Sequence, residues 1–172
     1  MNTPPRLLLA LLIAGGLFLP PHSEAEAQLS LGAHASVSEI SRTAFGLGGR
    51  VAVLVRRAPE WTLALEGVGE YLWPSCDVVD CGAVLLHANL LARRRVASYA
   101  EAYAGIGFVY EKYTIQDNIN KLKGDDVGFS VLAGTQSGQP GGLRPFLEVR
   151  ATFMSDLDTQ FGVAFGLRVP IG

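Results

Sequence analysis

Residues 158–171, Asp-Thr-Gln-Phe-Gly-Val-Ala-Phe-Gly-Leu-Arg-Val-Pro-Ile, alternate between two kinds of side chain. Odd positions are mostly bulky and apolar, whereas even positions are mostly small or polar. A period of two over this length predicts a β-strand with one apolar face. The segment is longer than the usual strand of about 5–6 residues. It is also long enough to cross a bilayer at a tilt, which takes about 9–11 residues.

The first 27 residues have the three parts of a signal peptide. Arg6 supplies a positive charge, Leu7–Leu19 is an apolar run, and Ala25-Glu26-Ala27 is a small-x-small cleavage site before Gln28. The apolar run is well short of the roughly 20 residues that a spanning helix needs. We therefore predict that residues 1–27 are removed on export and that residues 28–172 form one domain.

The charge and the cysteines limit the possible functions. The formal net charge is −2, which excludes a strongly basic nucleic-acid binder. The two cysteines, Cys76 and Cys81, lie close together in a segment with turn residues. In an exported chain we expect them to form a local disulfide. Metal ligation is a weak alternative, because two thiols without a nearby His do not complete a tetrahedral site. We expect no metal and no cofactor.

Turn residues divide the rest of the chain into eight segments with the same alternation. These segments are about 28–37, 44–56, 61–73, 83–95, 98–111, 126–137, 143–154 and 158–170. No long helical pattern interrupts them. An even number of antiparallel strands in a chain of this length predicts an all-β fold, an eight-stranded antiparallel up-and-down transmembrane β-barrel.

Residue parity sorts each strand into two faces. One face carries large apolar residues and no charge. The opposite face mixes small residues with a set of ionisable side chains, which we predict to form a charge network in the lumen: Arg50, Arg56, Glu66, Glu70, His87, Arg93, Glu101, Glu148, Arg150 and Arg168.

Alternation alone does not decide which face points inward, since a lipocalin-like soluble barrel has the same period with its apolar face inside. Three features favour the membrane barrel. A water-facing sheet normally carries many lysines, yet the only ones are Lys112, Lys121 and Lys123. The polar face combines Gly, Ala and Ser with Arg and Glu, which suits a tight interior of paired charges. Trp61 and Trp73, near opposite ends of one strand, resemble interfacial aromatic girdles.

Connection lengths predict the orientation of the barrel. The connections at 57–60, 96–97 and 138–142 are short, whereas those on the other side are mostly longer, up to Lys112–Asp125. Barrels of this kind have short periplasmic turns and longer outer loops. Both termini should then lie in the periplasm.

A signal segment, eight strands, an apolar exterior and a charged lumen resemble the small outer-membrane barrels of the OmpX, OmpA and OmpW type. This resemblance implies residence in a Gram-negative-type outer membrane, with membrane lipids and the barrel-insertion machinery as partners. It also implies a C-terminal assembly signal, which Gln160, Gly162, Phe165 and Leu167 match. The family usually ends on an aromatic residue, whereas this chain continues to Gly172.

His34 and Ser36 are the strongest candidates for catalysis. They share one face, as the imidazole and hydroxyl of a serine hydrolase would, and the resemblance includes a lipid A deacylase with a His-x-Ser pair. Parity turns both side chains away from the lipid that such an enzyme acts on, so we favour a structural role. His87 and Asn89 are a second inward pair with the same interpretation.

The charged lumen has two interpretations. An eight-stranded barrel is about filled by its own side chains, so we expect the charges to pair and close it. Parity makes Arg50 with Glu66, and Glu148 with Arg168, the expected pairs. The alternative is a narrow, porin-like path for ions or small hydrophobic solutes. We predict a non-enzymatic protein with a structural or surface-interaction role; the pore is the first alternative and a lipid-modifying enzyme the second.

Overall fold

Eight antiparallel strands pair in sequence order and close on themselves. The computed structural model describes residues 29–40, 42–75, 80–116, 121–138 and 142–171. The strands are β1 (Leu29–Ile40), β2 (Arg42–Arg57), β3 (Trp61–Pro74), β4 (Asp80–Ala97), β5 (Ala100–Gln116), β6 (Lys121–Ser137), β7 (Arg144–Met154) and β8 (Gln160–Ile171).

Closure is made by the first and last strands. β8 pairs antiparallel with β1, so that Leu31 opposes Val169 and Ala35 opposes Phe165. The eight described strands therefore leave no open sheet edge. The predicted eight-stranded antiparallel up-and-down barrel is confirmed. Among the described residues, no helix has the length and apolar character needed to cross a membrane.

The two faces of the strands differ as the alternation predicted. Large apolar side chains cover the outside, and Phe108 is 78% exposed and Leu147 53% exposed. Inward side chains include charged ones that are almost fully buried, such as Arg168 at 2% and Glu148 at 1%. A lipocalin-like barrel would have the reverse arrangement, so the structure does not support that alternative.

Aromatic side chains lie at both ends of the outer surface. Trp61 and Trp73, the first and the penultimate residues of β3, are both exposed. Twelve residues at about 3.3 Å each, tilted by about 40°, place them about 30 Å apart along the barrel axis. Near Trp73, the Tyr71 ring packs edge-on with centroids 4.7 Å apart. This spacing is close to the apolar band of about 25 Å that separates the aromatic girdles of membrane barrels.

The predicted loop Lys112–Asp125 is wrong in extent. β5 continues to Gln116 and β6 begins at Lys121, so only residues 117–120 remain between them, outside the described part of the chain. Continued cross-strand pairing accounts for the difference. Lys112 directly opposes Asp125, and opposite charges facing each other across two strands stabilise the pairing.

Two predictions fall on residues outside the described ranges. These are the signal peptide at 1–27 and one member of the predicted disulfide, Cys76. Cys81 lies in β4, immediately after that gap. The Cys76–Cys81 disulfide stays a prediction.

We expect alkylation of the exported protein without reductant to leave both cysteines unmodified in an intact-mass measurement, because a disulfide has no free thiol. Two alkylated cysteines would contradict it. Because the closed loop is short, its effect on stability should be small.

Candidate functional site

The inner face of the barrel holds many buried ionisable side chains. We call its middle the central cluster, formed by Arg50 on β2, Glu66 on β3, Glu148 and Arg150 on β7, and Arg168 on β8. All five have the inward parity of their strands. Burial of charge is costly unless each group is paired and hydrogen-bonded. The contacts within this cluster therefore decide whether these charges destabilise the folded barrel.

Each carboxylate of the central cluster contacts two arginines. Glu148 Oε2 lies 3.1 Å from Arg50 Nη1, and Glu148 Oε1 lies 2.6 Å from Arg150 Nη2. Glu66 Oε1 lies 3.5 Å from Arg50 Nη1, and Glu66 Oε2 lies 2.5 Å from Arg168 Nη2. The contacts join four strands across the lumen into one ion-pair network.

Aromatic rings complete the central cluster. The guanidinium of Arg50 lies 4.1 Å from the centroid of the Phe146 ring, and that of Arg168 lies 4.9 Å from the same centroid. Arg168 also lies 5.0 Å from the ring of Tyr103, whose hydroxyl donates to Glu148 Oε2 at 3.1 Å. Cation–π contacts of this kind contribute most where water is excluded. The rings also occupy space between the charges.

One of the two expected pairs differs in the structure. Arg50 contacts Glu66 as predicted from parity. The Glu148–Arg168 pairing is wrong, because Arg168 contacts Glu66, and Glu148 contacts Arg50 and Arg150. Glu148 opposes Ala164 on β8, four residues from Arg168, which is about 13 Å along the strand. The distance from each side chain to a partner across the narrow lumen is therefore shorter than the distance between Glu148 and Arg168 along the strands.

Arg56 lies outside the lumen, contrary to the prediction. A β-bulge between Leu54 and Arg56 adds one residue to β2. Arg56 therefore opposes Leu63, which has outward parity, and is exposed. A one-residue shift moves every later side chain of a strand to the other face. The sequence does not reveal the bulge. Parity counted without it therefore assigned Arg56 to the inner face.

A second set of charges occupies the lumen at the end where β1 begins and β8 finishes, which we call the terminal end. Gln136 links this set to the central cluster, since its amide oxygen accepts from Arg168 Nη1 at 3.0 Å and its Nε2 donates to Glu101 at 2.6 Å. Arg144 Nη1 lies 3.7 Å from the same Glu101 carboxylate. Arg93 lies here too, and its Nε and Nη2 atoms are buried without a hydrogen bond to a described residue.

The other half of the lumen contains Glu70 with His34 and Ser36. Ser36 donates a hydrogen bond to Glu70 Oε1, and His34 Nε2 lies 3.6 Å from Glu70 Oε2. Gly46 is needed beside them, because a Cβ at that position would collide with both Ser36 and Glu70. In a Ser–His–acid triad the imidazole lies between the hydroxyl and the carboxylate. Here the carboxylate lies between the other two, and all three are buried inside.

His87 and Asn89 are also buried, and the polar atoms of both side chains form no hydrogen bond with a described residue. Asn89 directly opposes Glu66 on β3 but does not hydrogen-bond to it. Among the described residues, no three His, Cys, Asp or Glu side chains are grouped as a metal site requires.

A third set of inward charges, Glu111 and Asp126, was not predicted from the sequence. Glu111 accepts from Gln160 Nε2 at 2.7 Å. Asp126 accepts from the backbone N–H groups of Asp156 and Leu157, both at 3.0 Å, and so holds the β7–β8 connection. Both residues keep the inward parity of β5 and β6. They are the end residues of the predicted strands 98–111 and 126–137, so parity counted to the last residue of each strand would have found them.

Comparisons with solved structures place this fold among small membrane barrels. Neisserial surface protein A (NspA) matches with a TM-score of 0.61 and 13% identity, covering 83% of this chain and 95% of that one. Ail, the attachment invasion locus protein of Yersinia pestis, matches with a TM-score of 0.62 and 13% identity, covering 87% of this chain and 100% of that one. The outer membrane enzyme PagL matches with a TM-score of 0.54 and 12% identity, covering 81% and 99%.

These similarities establish the fold alone, because the identities are low. The resemblance to small eight-stranded outer-membrane barrels is confirmed at the level of structure. No protein-family model matches the sequence, and no curated protein matches it. The same architecture occurs in a surface protein, an attachment protein and an enzyme, so function has to be argued from the residues of this chain.

Proposed function

We propose that this chain is a non-enzymatic outer-membrane barrel, with a lumen closed by its own ion pairs and a structural or surface-interaction role. The outer surface supports the membrane location. Its exposed apolar side chains extend around the whole barrel, far beyond the few hundred Å² of contiguous apolar surface that soluble monomers tolerate. Charged outward residues such as Glu39, Arg56 and Arg94 lie near strand ends.

The proposed route to the membrane uses the predicted signal peptide and the barrel-insertion machinery. The assembly signal would lie in the first part of β8. Phe165 and Leu167 are exposed on its outer face, at 59% and 45%, while Gln160 is buried inside. An exposed apolar row at a terminal strand suits recognition by another protein during folding. In this orientation the terminal end lies in the periplasm.

The central cluster is the main support for a closed lumen. Arg50 contacts carboxylates on β3 and β7, while Arg168 reaches from β8 to β3. The charged heads therefore cross the lumen instead of lining its wall. Phe146 and Tyr103 pack against the guanidinium groups. A hydrated ion would have to break several of these contacts to pass.

The lipid-modifying enzyme is the less favoured alternative. Its substrate would approach from the outer surface, whereas His34 and Ser36 are 4% and 5% exposed and point inward. The imidazole and the hydroxyl approach different oxygens of the Glu70 carboxylate. Neither ring nitrogen of His34 forms a hydrogen bond with a described residue, so the imidazole is not placed as the general base of a Ser–His pair. Both side chains therefore stabilise the inner face in this proposal.

Conductance in planar bilayers tests the closed lumen. We expect the folded protein to produce no steady current, because the central cluster blocks the barrel. A control with both Arg50 and Glu148 replaced by Ala shortens two of the crossing side chains and should increase transient conductance. A steady, ion-selective current from the unmodified protein would contradict the closed lumen and favour the pore.

A further inference from the structure

The lumen contains a small cavity at its terminal end. Its volume is about 40 Å³, and it lies between β1, β2, β4, β6, β7 and β8. Three guanidinium groups line it, those of Arg93, Arg144 and Arg168, together with Gln136 and Ser30. None of the described residues that line it is a carboxylate. The cavity thus concentrates positive charge in a confined space.

The carboxylates near this cavity do not balance its arginines. Arg168 is paired with Glu66 at 2.5 Å, and Arg144 is paired with Glu101 at 3.7 Å. Arg93 forms no ion pair within 4.0 Å of a described carboxylate, although most of its side chain lies inside the barrel. It interacts with Glu66 and Glu101 only at longer range, and both of these carboxylates are already paired. Two anions therefore face three cations. A buried charge without a partner is costly, and proteins normally compensate it.

The unpaired charge is matched by unsatisfied donors. Nε and Nη2 of Arg93 are buried and form no hydrogen bond with a described residue. The Nε atoms of Arg144 and Arg168 are also buried and form no hydrogen bond with a described residue. Four donor nitrogens on three strands, from side chains that line one cavity, are thus left without an acceptor among the described residues. Buried donors are rarely left unsatisfied in native proteins, and an acceptor with negative charge would satisfy these donors and compensate Arg93 together.

We propose that this cavity binds a small inorganic oxyanion of the size of phosphate or sulfate. Planar guanidinium groups bind such oxygens with charge-assisted hydrogen bonds. The cavity exceeds the roughly 10–15 Å³ that one water needs. A lipid headgroup is a less suitable source, because lipid contacts the outer face and the three arginines have the inward parity of their strands. The bound anion would neutralise Arg93 and join β4, β7 and β8 at the terminal end.

The test measures thermal unfolding of the protein folded in a maltoside detergent, which contains no phosphate. Sodium phosphate replaces sodium chloride at constant ionic strength, and unfolding is followed by heat-modifiable gel migration. At a phosphate concentration about 100 times its dissociation constant, the melting temperature should rise by about 5–10 °C. An equal response to chloride and phosphate, or no response, would overturn the proposal.

Two variants make the test specific. Arg93→Gln removes the unpaired charge, so it should melt higher than the parent without phosphate and lose the phosphate response. Arg94→Gln is the matched control, because the adjacent Arg94 is exposed and pairs with Glu60 at 3.4 Å; it should respond as the parent does. A phosphate response retained in Arg93→Gln would refute the site.

Ala52→Leu provides an independent variant, because it fills the cavity without removing a charge. Ala52 lines the cavity and is 3% exposed. We expect this variant to lose the phosphate response, and a retained response would also refute the site. The outcome is separate from the conductance experiment, since a closed lumen stands whether or not the cavity binds an anion.

Discussion

Glu148→Gln is expected to destabilise the barrel by about 3–5 kcal/mol, because removing one partner of a buried ion pair leaves uncompensated charge. Glu148 contacts Arg50 and Arg150, and its side chain is 1% exposed. It also accepts from the Tyr103 hydroxyl. The amide has almost the same volume as the carboxylate, so the loss reports charge and hydrogen bonding instead of packing. Unfolding by urea in lipid vesicles, followed by heat-modifiable migration, measures it.

Glu60→Gln is the matched control for this experiment. It makes the same chemical change in an ion pair with Arg94, where the two side chains are 76% and 70% exposed. Exposed pairs contribute less than about 1 kcal/mol. The two variants should therefore differ several-fold in their effect. Equal and small effects would mean that water solvates the lumen charges. The ion pairs would then no longer support a closed lumen.

The second large effect is expected on the outer surface. Val149→Arg should cost about 2–4 kcal/mol when the protein folds into a bilayer, because an arginine would then contact lipid near the midplane. Val149 lies at the middle of β7 and is 52% exposed. The measurement is again urea unfolding in vesicles. In a soluble protein the same substitution would place the charge in water, and its cost in stability would be small.

Val169→Arg controls for the chemistry of this substitution. Val169 is also on the outer face, at 43% exposure, but it is the third residue from the end of β8. An arginine near the interface should cost only about 0–1 kcal/mol. If both variants fold as the parent does, the outer face does not contact lipid and the membrane location is wrong.

The alternation of residues was sufficient to predict the barrel from the sequence. Side chains in a strand have a period of two, so a run such as Phe161, Val163 and Phe165 defines one face without any tertiary information. Eight such runs with turn residues between them leave few other architectures. The assignment of Arg50, Glu66, Glu148 and Arg168 to the inner face followed from the same parity.

The pairing of these charges depended on the tertiary structure. Arg168 reaches Glu66 on β3, which is 102 residues away in sequence, because closure of the barrel brings β8 and β3 to opposite sides of one narrow lumen. The β-bulge at Leu54 and Arg56 and the extension of β5 to Gln116 are also set by hydrogen bonding between strands. Parity reports the side of a strand on which a residue lies. The partner of that residue depends on register and strand tilt, which form only when the sheet closes.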